Sequence, residues 1–376
     1  MVSTRQGHVM RGGAVGRVAL GGLMLSGALV APRAAPLAGQ RATPLAAWAQ
    51  AWPMVGHDPQ RTNRSASTGP LHPRLLFAVA SLTRPALIGA DGGIYASSYN
   101  SRTQTGGVTA LTATGRWRWT APLSRLEGGP PALAPDGAVL MNGHDSTGEV
   151  IAAIAPTGQR RWTIRSLPWA TGLRETPHSK EEPPLVTTAG LFYVPLVGPE
   201  FRAGDNVGLQ IVSPGGTPLR VLQRGLIPHA VALAGDSTVY ELAARCCMNN
   251  VSLLALNATG ALRWAKTLAF APSYVTTGVL VGMSGTIYAS DSAGIGAGNA
   301  GEIVAYTPAG RRLWRLRTTD GAATLAERPD GSVLVATTTH LSAFTAGGTQ
   351  IWRRALGHHT GLAAALPPPY SPIARR

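Results

Sequence analysis

Lysine is almost missing from this chain: of its 33 basic residues only Lys180 and Lys266 are lysines, so 31 are arginines. Such a bias follows nucleotide composition more readily than selection for phosphate contacts. No dense basic run and no basic stretch interleaved with aromatics occurs, so the formal charge of +15 does not mark a nucleic-acid binder. Cysteine is equally scarce. The two present are neighbours, Cys246-Cys247, and adjacent Cα atoms sit closer than a relaxed disulfide allows. The apolar run at 18–30 is 13 residues long, too short to span a bilayer. The chain has no Gly-x-Ser-x-Gly elbow, phosphate loop or His-Glu-x-x-His motif, and no nucleophile stands beside a base, so no catalytic residue is assigned. Metal signals are equally thin. His144-Asp145 and Glu149 are of ligand type but share one short stretch, and His358-His359 lies in an Ala- and Pro-rich tail, so no metal site is expected.

What the chain does have is a repeated phrase. Ala152-Ala153-Ile154-Ala155-Pro156-Thr157-Gly158 leads to Trp162, two short apolar strands around a Thr-Gly turn with tryptophan four residues past the glycine. It returns as Gly115 to Trp119, Gly260 to Trp264, Gly310 to Trp314 and Gly348 to Trp352. A further copy at Gly216 has Arg220 in place of tryptophan. From Gly115 to Gly348 is 233 residues over five intervals, about 47 per repeat, the period of a propeller blade. Each repeat also carries an earlier hairpin turn: Asp91-Gly92, Asp136-Gly137, Ala189-Gly190, Gly235-Asp236, Ser284-Gly285 and Asp330-Gly331. Gly and Asp supply the positive φ that such turns need, so these aspartates read as turn formers. Trp119, Trp162, Trp264, Trp314 and Trp352 read as structural residues that fill space between neighbouring sheets.

The ends differ from the middle. Arg5, Arg11 and Arg17 precede the 13-residue apolar run, and small-residue cleavage sites follow, so residues 1–49 are expected to be a signal peptide and pro-region. Their removal takes five arginines and no acids, leaving 15 − 5 = +10. The mature protein is expected to be extracytoplasmic, secreted or held in the cell envelope, with no transmembrane segment. Residues 50–84 read as an ordered leader, from Trp52 to Ser65, followed by a ring-closing strand at Leu75–Val79; His57-Asp58 before Pro59 suits a turn cap. Residues 85–356 carry six full repeats, with a seventh sheet built by both termini as the alternative. Residues 357–376 read as a flexible tail.

The order of strand, Asp-Gly hairpin, strand, then Ala-Leu-x-x-x-Thr-Gly-x-x-x-Trp resembles the tryptophan-docked blades of the pyrroloquinoline-quinone-like (PQQ-like) β-propellers. The leader Trp52-Pro53-Met54-Val55-Gly56-His57-Asp58 is similar to the opening of exported members. The resemblance covers about residues 52–356 and implies an all-β propeller of four-stranded antiparallel blades. It implies two functions of different class, because the family holds quinone-dependent dehydrogenases and also non-enzymatic scaffolds, one of them a lipoprotein that helps assemble outer-membrane barrels. Thr112, Pro156, Asn257 and Thr307 stand near the point where the family often has an aspartate, which marks a divergent member. By the resemblance, a PQQ cofactor with calcium would lie against Cys246 and Cys247, since dehydrogenases of this kind stack the quinone on a vicinal disulfide. The aspartate-rich loop that should accompany it is missing.

In an up-and-down blade all the tight turns emerge on one face, and the longer connections on the other. The expected long insertions are 98–107, 142–149, 165–184, 196–207 and 290–302. Loops grown on one face of a rigid array are where binding usually sits. The candidates on that face are Trp169, Arg174, Glu175, His178, Asp145, Glu149, Asp205 and Asp291. Eleven of the 18 acids, Glu302 among them, map to this side. Arg160-Arg161, Arg311-Arg312 and Arg353-Arg354 flank the outermost strands and suggest a basic belt. The expectation is a monomeric, non-catalytic binding or scaffold module for a protein or envelope polymer.

Overall fold

The computed structural model describes residues 51–65, 72, 74–79, 82, 85–100, 102–103, 105–124, 129–145, 148–168, 183–196, 208–223, 225–244, 251–268, 278–292, 301–318, 324–337 and 339–356. All of these fall in one compact unit that begins at Arg41. They form six four-stranded sheets, each an antiparallel meander in which consecutive strands are neighbours. The first sheet holds β1 (Leu87–Ile88), β2 (Ile94–Asn100), β3 (Thr105–Leu111) and β4 (Trp117–Ser124). The second holds β5 (Ala132–Leu133), β6 (Val139–Asp145), β7 (Gly148–Ile154) and β8 (Arg160–Pro168). The third holds β9 (Leu185–Val186), β10 (Phe192–Leu196), β11 (Gly208–Val212) and β12 (Pro218–Leu222). The fourth holds β13 (Ile227–Leu233), β14 (Val239–Ala244), β15 (Ser252–Leu256) and β16 (Leu262–Thr267). The fifth holds β17 (Gly278–Val281), β18 (Ile287–Ser292), β19 (Gly301–Tyr306) and β20 (Arg312–Thr318). The sixth holds β21 (Thr324–Glu327), β22 (Val333–Ala336), β23 (His340–Phe344) and β24 (Gln350–Ala355). These are the blades of a β-propeller, and the sequence repeats coincide with them one for one.

The second and third strands of the third and fourth blades are largely apolar and almost fully buried, as strands covered on both faces must be. The outermost strands alternate, and every one of the six begins with a β-bulge. Arg118, Arg161, Leu219, Arg263, Leu313 and Ile351 are each the extra residue, immediately before the tryptophan position. A bulge bends and twists an outer strand, which blunts an edge that would otherwise offer itself for pairing. Where the bulged residue is arginine it reaches back to the hairpin aspartate of its own blade: Arg118 to Asp91 at 2.9 Å, Arg263 to Asp236 at 3.5 Å, and Arg161 to Asp136. Those aspartates also close their turns by accepting from a backbone N–H two residues on, as Asp136 Oδ1 does from Ala138 at 3.0 Å.

Tryptophan joins one blade to the next. The Trp119 ring lies on Gly158 and its Nε1–H donates to the Pro156 carbonyl at 2.9 Å. Trp162 treats Gly216 and Pro214 in the same way, Trp264 treats Gly310 and Pro308, and Trp314 treats Gly348 and Ala346. The turn glycine must be bare, since a Cβ on Gly310 would lie 2.9 Å from the Trp264 ring. The missing tryptophan of the third blade is replaced by two residues. Arg220 donates to the Ala258 carbonyl at 3.3 Å, and Leu222 covers Gly260.

Two expectations need correction. Residues 74–79 form no strand, although Phe77 does lie on Gly115, the place a preceding tryptophan would take. Some of the expected long connections are also shorter than composition suggests, although 196–207 does join β10 to β11. The polar run Asn142 to Asp145 continues β6 and pairs with Gly148 to Ile151, and Ser290 to Ser292 pair with Gly301 to Ile303. Ladder hydrogen bonds to an existing neighbour strand override the loop preference of Asn, Gly and Ser.

Candidate functional site

The leader is bonded to blade after blade. Trp52 exchanges both backbone bonds with Ile88 of the first blade, and the Pro53 carbonyl accepts from Leu133 of the second. Pro59, Gln60 and Thr62 carbonyls accept from Leu233, Val281 and Glu327, on the innermost strands of the fourth, fifth and sixth blades. Arg61, itself buried, completes the set: Nη2 donates to the Pro183 carbonyl before β9 at 2.8 Å, and Nε donates to Val231 of β13 at 3.2 Å. Every blade is thus tied to residues 52–62. The backbone bonds to Ile88, Leu133, Leu233, Val281 and Glu327 fall beside the hairpin turns, so the leader sits at the tight-turn end of the inner strands. His57, Arg61 and Asn63 adopt positive φ to make this path, a conformation that side-chain-bearing residues keep only where the surroundings over-determine it. Asp58 acts as the cap foreseen for it. It accepts from the Thr62 backbone N–H at 3.0 Å and from the Thr62 hydroxyl.

Beside the leader an open groove of about 500 Å³ runs between the hairpin turns of the fourth and fifth blades, with Asp58, Thr62, Arg64, Asp236, Tyr240 and Met283 among its lining. Glu327 touches two of its lining residues, Met283 and Arg64. The carboxylate is buried, accepts from the Met283 N–H at 2.8 Å and lies 3.8 Å from the Arg64 guanidinium. Burial raises its pKa, and Asp58 adds to the rise; the Met283 N–H and Arg64 oppose it. The arrangement is a clamp between leader, fifth blade and sixth blade.

Glu241 is a different kind of acid. It lies on β14 opposite Val231 and Leu254, is 0% exposed, and among the described residues neither carboxylate oxygen has a hydrogen-bond partner. Burial alone pushes it up to about 8, so it is largely protonated at neutral pH. Val239 and Ala243, two residues to either side and therefore on the same face, pack in one cluster with Leu209, Ile211 and Leu222 of the third blade. Glu241 therefore points into the joint that lacks a tryptophan. Glu302, assigned by sequence to the long-loop face, is buried and paired with Arg315 of the adjacent strand.

The candidates foreseen for the long-loop face are placed only in part. Trp169, Arg174, Glu175, His178 and Asp205 lie outside the described residues, as do Cys246 and Cys247. For Asp145, Glu149 and Asp291 the backbone is placed: Asp145 opposite Gly148 and Glu149 opposite His144 at the end of the second blade, and Asp291 opposite Glu302 in the fifth. Among the described residues no three of His, Cys, Asp and Glu gather as a metal ion would need. The three buried carboxylates, Glu241, Glu302 and Glu327, belong to different blades and have different surroundings. Sequence reasoning missed Arg61, Glu241 and Glu327. Only Glu241 left a signal, a carboxylate within an apolar strand.

The family profile described as outer membrane protein assembly factor BamB, built on PQQ-type repeats, matches residues 104–300, more than half of the chain. The chain belongs to this family. No curated protein matches it. Among solved structures it is similar to the Dos1 propeller, with TM-score 0.50 and 8% identity over 70% of this chain and 68% of that one. It is also similar to the Cps50 (Swd1) propeller domain of Myceliophteria thermophila, with TM-score 0.43 and 11% identity over 69% and 85%. A gluconolactonase of Xanthomonas campestris gives TM-score 0.41 and 16% identity over 70% and 85%. At these identities the likeness shows the fold alone. No helix among the described residues is long and apolar enough to cross a membrane.

Proposed function

We propose that this chain is a non-catalytic exported β-propeller that binds a protein or polymer of the cell envelope through the face opposite its tight turns. The reading is carried by the leader. Its backbone and Arg61 are consumed in joining all six blades at the tight-turn end, so chain that could grow without disturbing the scaffold belongs to the other end. Membership of a family named for an assembly factor supports a binding role in the envelope. The acids and arginines that the described residues present are mostly committed to turns and joints, as Asp91, Asp136, Glu302 and Glu327 are. Residues 169–182 are the longest insertion and the part we assign to the partner.

The test is crosslinking of the exported protein in intact cells, full chain against a variant with residues 169–182 replaced by Gly-Ser. The expected result is loss of a discrete crosslinked species with unchanged thermal unfolding. Identical crosslinks from both forms would overturn the assignment. A rise in unfolding midpoint with quinone and Ca²⁺, together with dye reduction by an alcohol or sugar, would replace the reading by an oxidoreductase.

A further inference from the structure

The tight-turn end has an apolar surface of its own. Ten large apolar side chains stand exposed among the described residues, and seven of them lie in a tight turn or within two residues of one. Single exposed apolar residues are ordinary on any protein, so it is their placement that matters. Trp117, Leu219, Leu262, Leu313 and Ile351, from 38% to 67% exposed, stand at the start of the outermost strands of the first, third, fourth, fifth and sixth blades. Each comes one or two residues before the tryptophan position, so all five lie within one residue, about 3.3 Å along a strand, of the same level. The blades share that level. Each joint sets the outer strand of one blade on the turn of the next, as Trp264 lies on Gly310 and Leu222 on Gly260, and the leader gathers the same ends of the inner strands. Met283, 64% exposed in the hairpin turn of the fifth blade, adds a side chain at this end.

What lies between these side chains is cheap to dehydrate. The six turns that lead into the outermost strands, 112–115, 155–158, 213–216, 257–260, 307–310 and 345–348, contain no charged residue, and the second residue of each is Ala or Pro. The Trp117 Nε1–H already donates to the Thr120 hydroxyl at 3.1 Å, so the indole can leave water without orphaning its donor. The hairpin aspartates are matched within their own blades, Asp91, Asp136 and Asp236 by the bulge arginines and Asp330 by Arg328 at 3.2 Å. Positive charge is left over. Arg116, Arg160, Arg311 and Arg312 are exposed at the same end, and none is ion-paired among the described residues.

We propose that the tight-turn end of the propeller rests on an anionic lipid surface, with these six apolar side chains entering the headgroup layer and the four unmatched arginines meeting lipid phosphates. A plane is the occupant that fits, because five of the apolar residues are spread over five blades at one level and are not gathered in one cleft. Exposed tryptophan and aliphatic side chains beside arginine are the composition of an interfacial contact, and the surplus arginines complement a negative leaflet. The contact leaves the opposite face turned away from the lipid, so it goes beyond the partner assigned to residues 169–182 and does not depend on it.

The full-length protein should float with vesicles of phosphatidylglycerol and phosphatidylcholine in equal parts, and should stay in solution with phosphatidylcholine alone. Trp117→Ser combined with Leu262→Ser, both at exposed positions, should weaken flotation at least tenfold and leave the thermal midpoint unchanged. Arg311→Ser with Arg312→Ser should weaken it about fivefold per arginine at low salt and flatten its salt dependence. The emission of Trp117, taken as the difference between wild type and Trp117→Phe, should shift to the blue on vesicle binding, which a tryptophan of purely structural role would not show. Replacement of residues 169–182 should leave flotation unchanged, so the failure of one assignment is distinguishable from the failure of the other. No flotation, equal flotation with neutral vesicles, or flotation indifferent to the substitutions, as binding through the apolar run at 18–30 would be, overturns the proposal. Binding to soluble heparin without binding to vesicles would give the surface to an anionic polymer, and a dimer dissolved by Trp117→Ser with Leu262→Ser would give it to a second copy. Either result overturns the lipid contact.

Discussion

The joint between the fourth and fifth blades and the joint between the third and fourth differ in how they solve one problem. In the first, a single residue does two jobs: Trp264 fills the space over Gly310 and donates to Pro308, with Tyr240 and Tyr306 rings 5.8 and 6.0 Å away. In the second the jobs are divided, Arg220 supplying the hydrogen bond and Leu222 the volume, and a buried carboxyl without a partner lies in the same joint. The lesson is that the repeat conserves a contact and leaves the residue that makes it free to change. The divided joint should be the weaker one, because a leucine contributes less area than an indole and Glu241 must stay neutral to remain buried.

The comparison can be broken most forcefully at Glu241. Its folded pKa of about 8 lies above the model-compound value of 4.5. The proton therefore binds more tightly in the folded state, and the associated stability is complete below pH 4.5 and is lost as pH rises through about 8. A shift of that size corresponds to at most about 5 kcal/mol. Glu241→Gln should remove this slope, seen as urea-unfolding free energies that converge at low pH and separate by pH 9. Equal slopes for both proteins would mean that water or a neighbour already satisfies the acid. In the intact joint between the fifth and sixth blades, Trp314→Ala should cost about 3–5 kcal/mol, because it removes the rings' contact with Tyr288 and Phe344 as well as the bond to Ala346. Arg220→Ala should cost about 1 kcal/mol, and the gap between these two losses measures how unequal the joints are. Smallest of all, Arg161→Ala should cost well under 1 kcal/mol, since a half-exposed ion pair with Asp136 is screened by solvent.

How much of this could be read from sequence depends on the range of the contact. The repeat and the Asp-Gly hairpins were legible because each hairpin is set by neighbours within a few residues, and the spacing of about 47 recurs over five intervals. The bulge before each tryptophan left no mark, since it is occupied by Arg in three blades and by Leu or Ile in the others. The extent of β6 was misjudged because Asn142-Gly143-His144-Asp145 has loop composition, and only pairing with β7 makes it a strand. The leader's partners were invisible for a simpler reason. Nothing in Pro59 or Gln60 names Leu233 or Val281, which are brought to them by the arrangement of whole blades.

That leader also fixes an order of events. Residues 52–62 are the first described part of the chain to be synthesised, yet the last of their partners, Glu327, is made some 265 residues later. The blades can each form from local hairpins, and Trp52 can pair with Ile88 once the first exists, but the bond from Glu327 to Thr62 must wait for the sixth. A loop that long is slow to close. The propeller therefore has a fastening made by its own beginning and completed last at the sixth blade, and any factor that holds residues 51–64 would keep the finished blades from being tied through it.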